Sequence, residues 1–189
     1  ENKIDVLFLT ETWHEEESVS IRRLGAEGFQ LLERARPVAA DARKNATSFV
    51  NHGGVAVVAP TSVKLEKLSV GNPKSFEHLC VRISSGGSSC VALLIYRPGS
   101  APACSQFFTE FASMLEQLAV MPLPLVITGD VNIRLDRPDH PLTRQFNDII
   151  DSFGLVNRVV EPTHDLGGHL DVLLSRSDLA APTVQVLDV

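Results

Sequence analysis

The sequence predicts an α/β domain, and three observations carry that reading. Short apolar runs of strand length recur along the chain, the clearest at 4–10, 55–59, 90–96 and 123–128. Two segments, 104–120 and 142–153, instead place large apolar residues at helical spacing, so strands and helices alternate in the second half. Three of the strand-like runs end abruptly in polar, reactive side chains, which is where ligands gather in open α/β sheets.

The composition sets the outer bounds. With 189 residues, 44% apolar and 21% charged, the chain can bury a sizeable single core and has no disordered character. It contains no apolar stretch long enough to cross a bilayer and no basic-then-apolar leader, so the segment reads as soluble with no membrane partner. Cys80, Cys90 and Cys104 are few, odd in number and lack metal-ligand spacing, which fits a reducing, intracellular compartment. A formal charge of −6 argues against a general polyanion binder, so any contact with nucleic acid has to be made by local basic rims.

Taken in order, the run from Ile4 to Thr10 reads as a buried strand that delivers Glu11, Thr12 and Trp13 at its C-terminal end. Glu15 to Leu24 can start a short helix with acids in its first turn. A strand over Phe29 to Arg36 leads into a polar loop from Pro37 to His52, in which Arg43, Lys44 and Asn45 offer a surface for a phosphate backbone or are simply solvated. Gly53 and Gly54 introduce the next strand. Strands follow at 63–70, 76–83 and 90–96, and the Ser84 to Ser89 separator makes the last two antiparallel neighbours. The last of them ends in Tyr96-Arg97-Pro98-Gly99, a phenol and a guanidinium that serve either as site groups or as an amphipathic strand end and turn.

Phe107, Phe108, Phe111, Leu115 and Leu118 mark a core-packing helix, with Ser105 as its expected N-cap and Pro122 beyond its end. The strand ending in Gly129-Asp130-Val131-Asn132 follows at once, completing a strand-helix-strand unit. If the backbone stays extended, Asp130 and Asn132 point the same way and Val131 turns into the core. A carboxylate and a carboxamide in one small space suit a hard divalent ion and a phosphate. By itself, however, the tetrapeptide fits turn chemistry slightly better than catalysis. A second helix runs from Leu142 to Phe153 and stops at Gly154. The last third holds a strand at 155–160, then Glu161-Pro162-Thr163-His164-Asp165, and a strand His169-Leu170-Asp171-Val172-Leu173-Leu174. Asp171 inside that apolar strand needs either a polar site to face or a specific partner. Its histidine and aspartate neighbours lack the regular spacing of a structural zinc site.

Together, Leu9-Thr10-Glu11-Thr12-Trp13, Tyr96-Arg97-Pro98, Gly129-Asp130-Val131-Asn132 and Pro162-Thr163-His164 through Leu170-Asp171 resemble the endonuclease/exonuclease/phosphatase (DNase I-like) family, closest to the endonuclease domains of non-LTR retrotransposons. The four motifs stand in the family's order and span nearly the whole chain. The resemblance implies a four-layer α/β sandwich, two packed mixed β-sheets flanked by helices, with the active site at one end. It implies a Mg²⁺-dependent phosphodiesterase, with Mn²⁺ as the alternative ion. Glu11 then matches the acid that holds the metal, Tyr96 a phosphate-contacting phenol, and Asp130 and Asn132 the pair that orients water and phosphate. Arg97, Thr163 and His164 match substrate-binding positions, and Asp171 a residue that buttresses a catalytic histidine. DNA is the implied partner, with a fused reverse transcriptase as a further one and the nucleus as the place of action. Family members open with an Asn-bearing strand and close with a Ser-Asp-His strand. The chain therefore reads as a single domain (1–189) lacking its first and last strands, expected by itself to bind Mg²⁺ weakly and not to nick DNA. The same scaffold also serves phosphomonoesterases and lipid phosphatases, and a degenerate nucleic-acid-binding module is the non-enzymatic alternative.

Overall fold

A computed structural model of the chain describes residues 5–14, 19, 23, 28–36, 53–100 and 103–187. The expected acidic helix start at 15–18 and the basic loop with Arg43, Lys44 and Asn45 lie outside the described residues. Strands β1 (Leu7–Thr10), β2 (Phe29–Arg34) and β3 (Val55–Pro60) form a small antiparallel sheet in the order β1-β3-β2. The Val55-Ala56-Val57-Val58-Ala59 run takes the centre because it is apolar on both faces, and each of these residues is buried. Strands β4 (Lys64–Leu68), β5 (Glu77–Ser85), β6 (Ser88–Tyr96), β7 (Leu125–Asp130), β8 (Leu155–Asn157) and β9 (Asp171–Arg176) make the larger sheet, ordered β4-β5-β6-β7-β9-β8. Among the described residues only the β6–β7 pair is parallel, so the larger sheet is mixed and the smaller one antiparallel.

Local chemistry explains the connections. Gly86 and Gly87 turn the β5–β6 hairpin with φ of 57° and 83°, the left-handed pair that a two-residue turn requires. Helix α1 (Ser105–Ala119) makes the crossover between parallel β6 and β7, and α2 (Pro141–Ser152) follows β7. The cap of α1 differs from expectation: Cys104 occupies that position and makes no side-chain capping bond, so Ser105 is already inside the helix. Packing holds this helix instead. Phe107 and Phe111 stack at 5.8 Å, Phe111 stacks on Phe146 of α2 at 5.5 Å, and Phe76 meets Phe107 edge-on at 5.5 Å. Each buried phenylalanine of this kind contributes about 1.5–3 kcal/mol of apolar burial. The strand expected at 155–160 stops at Asn157, because its side-chain oxygen accepts from Val159 N at 3.2 Å and turns the chain out of the sheet.

Alternation along the larger sheet separates two cores. Val91, Leu93 and Ile95 of β6, Leu125 and Ile127 of β7, and Val172 and Leu174 of β9 face the helices. The alternate residues Ala92, Leu94 and Tyr96 of β6, with Leu79 and Val81 of β5, face Val55 and Val57 of the small sheet. The described layers are thus sheet, sheet and helices. Parity alone puts Tyr96 on the inner face, where it looks at the other sheet.

Candidate active site

Three neighbouring strands of the larger sheet end level with one another. Tyr96 closes β6 and is in register with Asp130 at the end of parallel β7, and Asp130 is in register with Asp171 at the start of antiparallel β9. Adjacent residues in register share a face, so a phenol and two carboxylates form one row directed between the sheets. The small sheet supplies the fourth group. Glu11 follows β1 directly, and the Tyr96 hydroxyl donates to its carboxylate. Glu11, Tyr96 and Asp130 border an open cleft of about 850 Å³ whose lining also includes Arg36, Asn132 and His164.

Gly129 is the reason β6 and β7 can approach here. Its φ is +128°, and a Cβ on it would lie 1.9 Å from the Ile95 carbonyl oxygen. Beyond it, Asp130 and Asn132 do come together, but by a different route from strand alternation. The strand ends at Asp130 and Asn132 takes a left-handed φ of 49°, which lets its backbone N–H donate to Asp130 Oδ1 at 2.7 Å and its Nδ2 to Oδ2 at 2.9 Å. The same Nδ2 donates to the Arg97 carbonyl at 2.8 Å. Val131 is fully buried, as the alternation predicts.

Arg97 has a different place from the phosphate-facing one expected. Its side chain is turned inward and is only 5% exposed, donating to the carbonyls of Val131 at 2.6 Å, Pro98 at 3.0 Å and Asn132 at 2.6 Å. It braces the strained Asn132 turn from behind. Arg134, on the loop that follows, forks onto Asp136 at 2.8 and 2.7 Å. Thr163 also works behind the cleft: its Oγ1 accepts from Leu170 N at 3.1 Å and Asp171 N at 3.2 Å, tying the 163–170 loop to the start of β9. His164 is exposed at the rim, its Nδ1 accepting from Leu166 N at 3.1 Å.

The electrostatics are those of crowded acids. Burial pushes the Asp130 carboxyl up to about 7; the Asn132 N–H opposes this, Asp171 and Glu11 reinforce it, and Arg97 relieves part of it. Burial raises Asp171 as well, against hydrogen bonding by Thr163 and the field of His164. Burial, followed by the Glu11 contact, raises the Tyr96 phenol, so it stays a donor at neutral pH. Glu11 and Asp130 bring carboxylate oxygens to one cleft, donors of the kind a hard divalent cation takes. Among the described residues no three His, Cys, Asp or Glu side chains converge into a complete metal cage. Mg²⁺ asks for less, since it keeps several waters and uses one or two carboxylates together with substrate phosphate oxygens.

Some site residues carried no sequence signal that sets them apart. Arg36, just past β2, stands with its guanidinium carbon 5.7 Å from the Tyr96 ring centroid and lines the cleft. Its only hint is that β2, like its neighbours, ends in a polar residue. His14 is 3% exposed and links Thr12 Oγ1 at 2.5 Å to Glu33 Oε2 at 2.6 Å. This clamp, with Trp13 N donating to Gly53 O at 2.7 Å, holds a segment in which both Glu11 and Trp13 have left-handed φ, 51° and 48°. Such backbone costs of order 1–3 kcal/mol per residue, and strain of this kind clusters at functional sites.

The molecule is thus a layered α/β fold with a row of acids and a phenol at one end of two packed sheets, the architecture of a family of hydrolases acting on phosphate esters. The chain belongs to the endonuclease/exonuclease/phosphatase family, whose sequence model matches residues 1–189. Among solved structures it is similar to the human Nocturnin catalytic domain with bound sulfate anion, at 14% identity and a TM-score of 0.63 over 92% of this chain and 69% of that one. It is also similar to the endonuclease domain of TRAS1, a telomere-specific non-LTR retrotransposon, at 14% identity and a TM-score of 0.58, covering 82% of this chain and 68% of that one. The Neisseria 3′ phosphatase NExo bound to product DNA hairpin matches at 16% identity with a TM-score of 0.60, covering 93% and 77%. At these identities the likeness establishes the DNase I-like fold. A comparison with curated protein sequences returns no match.

Proposed function

We propose that the chain is a Mg²⁺-dependent phosphodiesterase domain that nicks DNA, resembling the target-nicking endonuclease of a non-LTR retrotransposon. The observation that supports this most directly is the convergence of Tyr96, Asp130 and Asp171 in one register row with Glu11 from the opposite sheet. Glu11 would hold the metal, and Asp130 lines the same cleft. When bound, the ion supplies Lewis-acid stabilisation of charge on the scissile phosphate and leaving oxygen. The chain's own groups do the positioning. Asp130 and Asn132, locked to each other, orient the attacking water and a phosphate oxygen, and the un-ionised Tyr96 would turn the proton it gives Glu11 in this structure toward the phosphate. Thr163 and Asp171 hold the loop that carries His164 to the rim. The proposed setting is nuclear DNA, with a fused reverse transcriptase using the nicked end.

Plasmid nicking by the full-length protein tests this reading. Glu11→Ala or Asp130→Ala should reduce the rate by at least about 10²-fold, the order associated with losing an electrostatic or acid-base group; nicking that survives either change would sink the assignment. A second reading, a phosphomonoesterase on the same scaffold, gains from the similarity to a 3′ phosphatase. Offering a DNA duplex and inositol phosphates in one turnover assay separates the two, because exclusive turnover of the latter removes the nuclease.

A further inference from the structure

A groove of about 390 Å³ opens beside the cleft and shares Arg36 and Pro98 with it. Its other walls come from the end of β2 and from the 72–77 segment, including Arg34, Asn72, Lys74, Ser75 and Glu77. Three cations meet a single acid there. That acid is already engaged, because Glu77 accepts from Arg36 and from Gly54 N, the latter at 2.6 Å. In a chain whose formal net charge is −6, the groove is a local basic channel that begins at the candidate active site.

The channel is built before any ligand arrives. Glu110 of α1 accepts from Lys74 N at 3.0 Å, Ser75 N at 2.9 Å and Ser75 Oγ at 2.6 Å, while Gln117 accepts from Gly71 N at 3.1 Å. The segment carrying Lys74 is therefore pinned to the helix and the ammonium is left exposed, with no partner among the described residues. Across the groove, Arg34 is aimed by two contacts, to His78 Nδ1 at 3.0 Å and Asn72 Oδ1 at 3.0 Å. A guanidinium has five N–H donors, so these contacts orient it without exhausting it. His78 can accept from Arg34 because burial, then the neighbouring guanidinium, keeps its imidazole neutral.

We propose that this groove is a second phosphate subsite, which takes the phosphodiester backbone of the DNA strand entering the cleft one or more nucleotides from the scissile phosphate. The inference rests on the nuclease reading above and gives that site a polymeric substrate. Fixed cations on a preformed wall recognise regularly spaced phosphates without reading bases. Of the three cations only Arg36 also lines the cleft, so a lone phosphomonoester bound there makes no use of Arg34 or Lys74. Arg36, standing between groove and cleft over the Tyr96 ring, links the two.

Binding of a fluorescent 20-nucleotide DNA duplex, measured by anisotropy in EDTA over a salt titration, tests the subsite without turnover. Lys74→Ala should weaken binding several-fold, uniformly across sequences, and lower the slope of log K against log salt by about one. Arg34→Gln should act in the same direction, and Lys64→Ala, at the far end of the larger sheet's edge, should bind like the parent. Lys74 carries the decision because its side chain supports no fold contact, so misfolding cannot imitate the result. Equal affinity and slope in Lys74→Ala and the parent overturns the subsite, as does a parent that nicks DNA but shows no salt-dependent binding. A full-length protein that binds in this Lys74-dependent way yet never nicks overturns the nuclease reading and leaves the subsite standing.

Discussion

Gly129 shows how a single atom governs this site. It bends the end of β7 with φ of +128° and passes so close to β6 that a methyl group would meet the Ile95 carbonyl oxygen at 1.9 Å. Both faults fall on backbone, which cannot swing aside, so Gly129→Ala should destabilise the fold by more than about 2 kcal/mol and lower Tm by about 5 °C or more. A thermal melt checks this, and an unchanged Tm would mean that the two strands can separate here. Arg97 teaches a different lesson at the same scale. Its position after Tyr96 suggests a phosphate contact, yet three backbone carbonyls claim its guanidinium, because the left-handed turn at Asn132 needs buried donors to satisfy it. Side-chain type is written in the sequence. Side-chain direction is not.

At the scale of elements, α1 does more than cover the larger sheet. Its Phe107 and Phe111 seat it in the core, while Glu110 on its outer side gathers the Lys74–Ser75 backbone. Partial burial would raise the Glu110 carboxyl, but hydrogen bonds from Ser75, Gln106 and Lys74 outweigh it and bring the value down to about 2. Since the ordinary value is 4.5, the unfolded chain binds more protons between those limits. The Glu110 contribution is therefore complete above about pH 4.5 and is lost as pH falls toward 2. Solvent screening keeps it to the order of 1 kcal/mol. Chemical denaturation of the parent and Glu110→Gln across pH 2–6 should show two curves that differ above pH 4.5 and converge in acid; a constant offset would refute the linkage. Helix α1 itself is legible from its phenylalanine spacing. Its Ser105 cap is not, because once Phe107, Phe111 and Phe146 lock the helix by packing, the first turn does not depend on a side-chain cap.

For the whole molecule, the two sheets meet at the site through groups that would repel one another without a partner. Glu11 of the small sheet faces Tyr96 and Asp130 of the large one. A bound divalent ion should therefore stabilise the assembly as well as the chemistry. At 100 times its Kd, Mg²⁺ adds about 2.7 kcal/mol by mass action. Titrating Mg²⁺ at constant ionic strength should raise Tm in the parent and leave Glu11→Gln flat; an equal rise in both would place the ion elsewhere.

The features legible in the chain alone are local and periodic. The apolar runs located the strands to within a few residues, phenylalanine and isoleucine spacing located both helices, Gly86-Gly87 made the hairpin, and the polar ends of three strands pointed to the site. Those features follow from residue conformational preference and from which faces must leave water, and both can be read within a short window. Which strand ends meet is set by the folded molecule. The bond from Tyr96 to Glu11 spans 85 positions, and the His14–Glu33 clamp and the Arg36–Glu77 pair likewise join distant parts of the chain. Asn132 reached Asp130 through a left-handed turn that alternation does not foresee, and Arg97 turned inward to support that turn. Such contacts depend on how two sheets stack and how one strand registers on the next. No local preference encodes that registration; it comes from burying both cores at once.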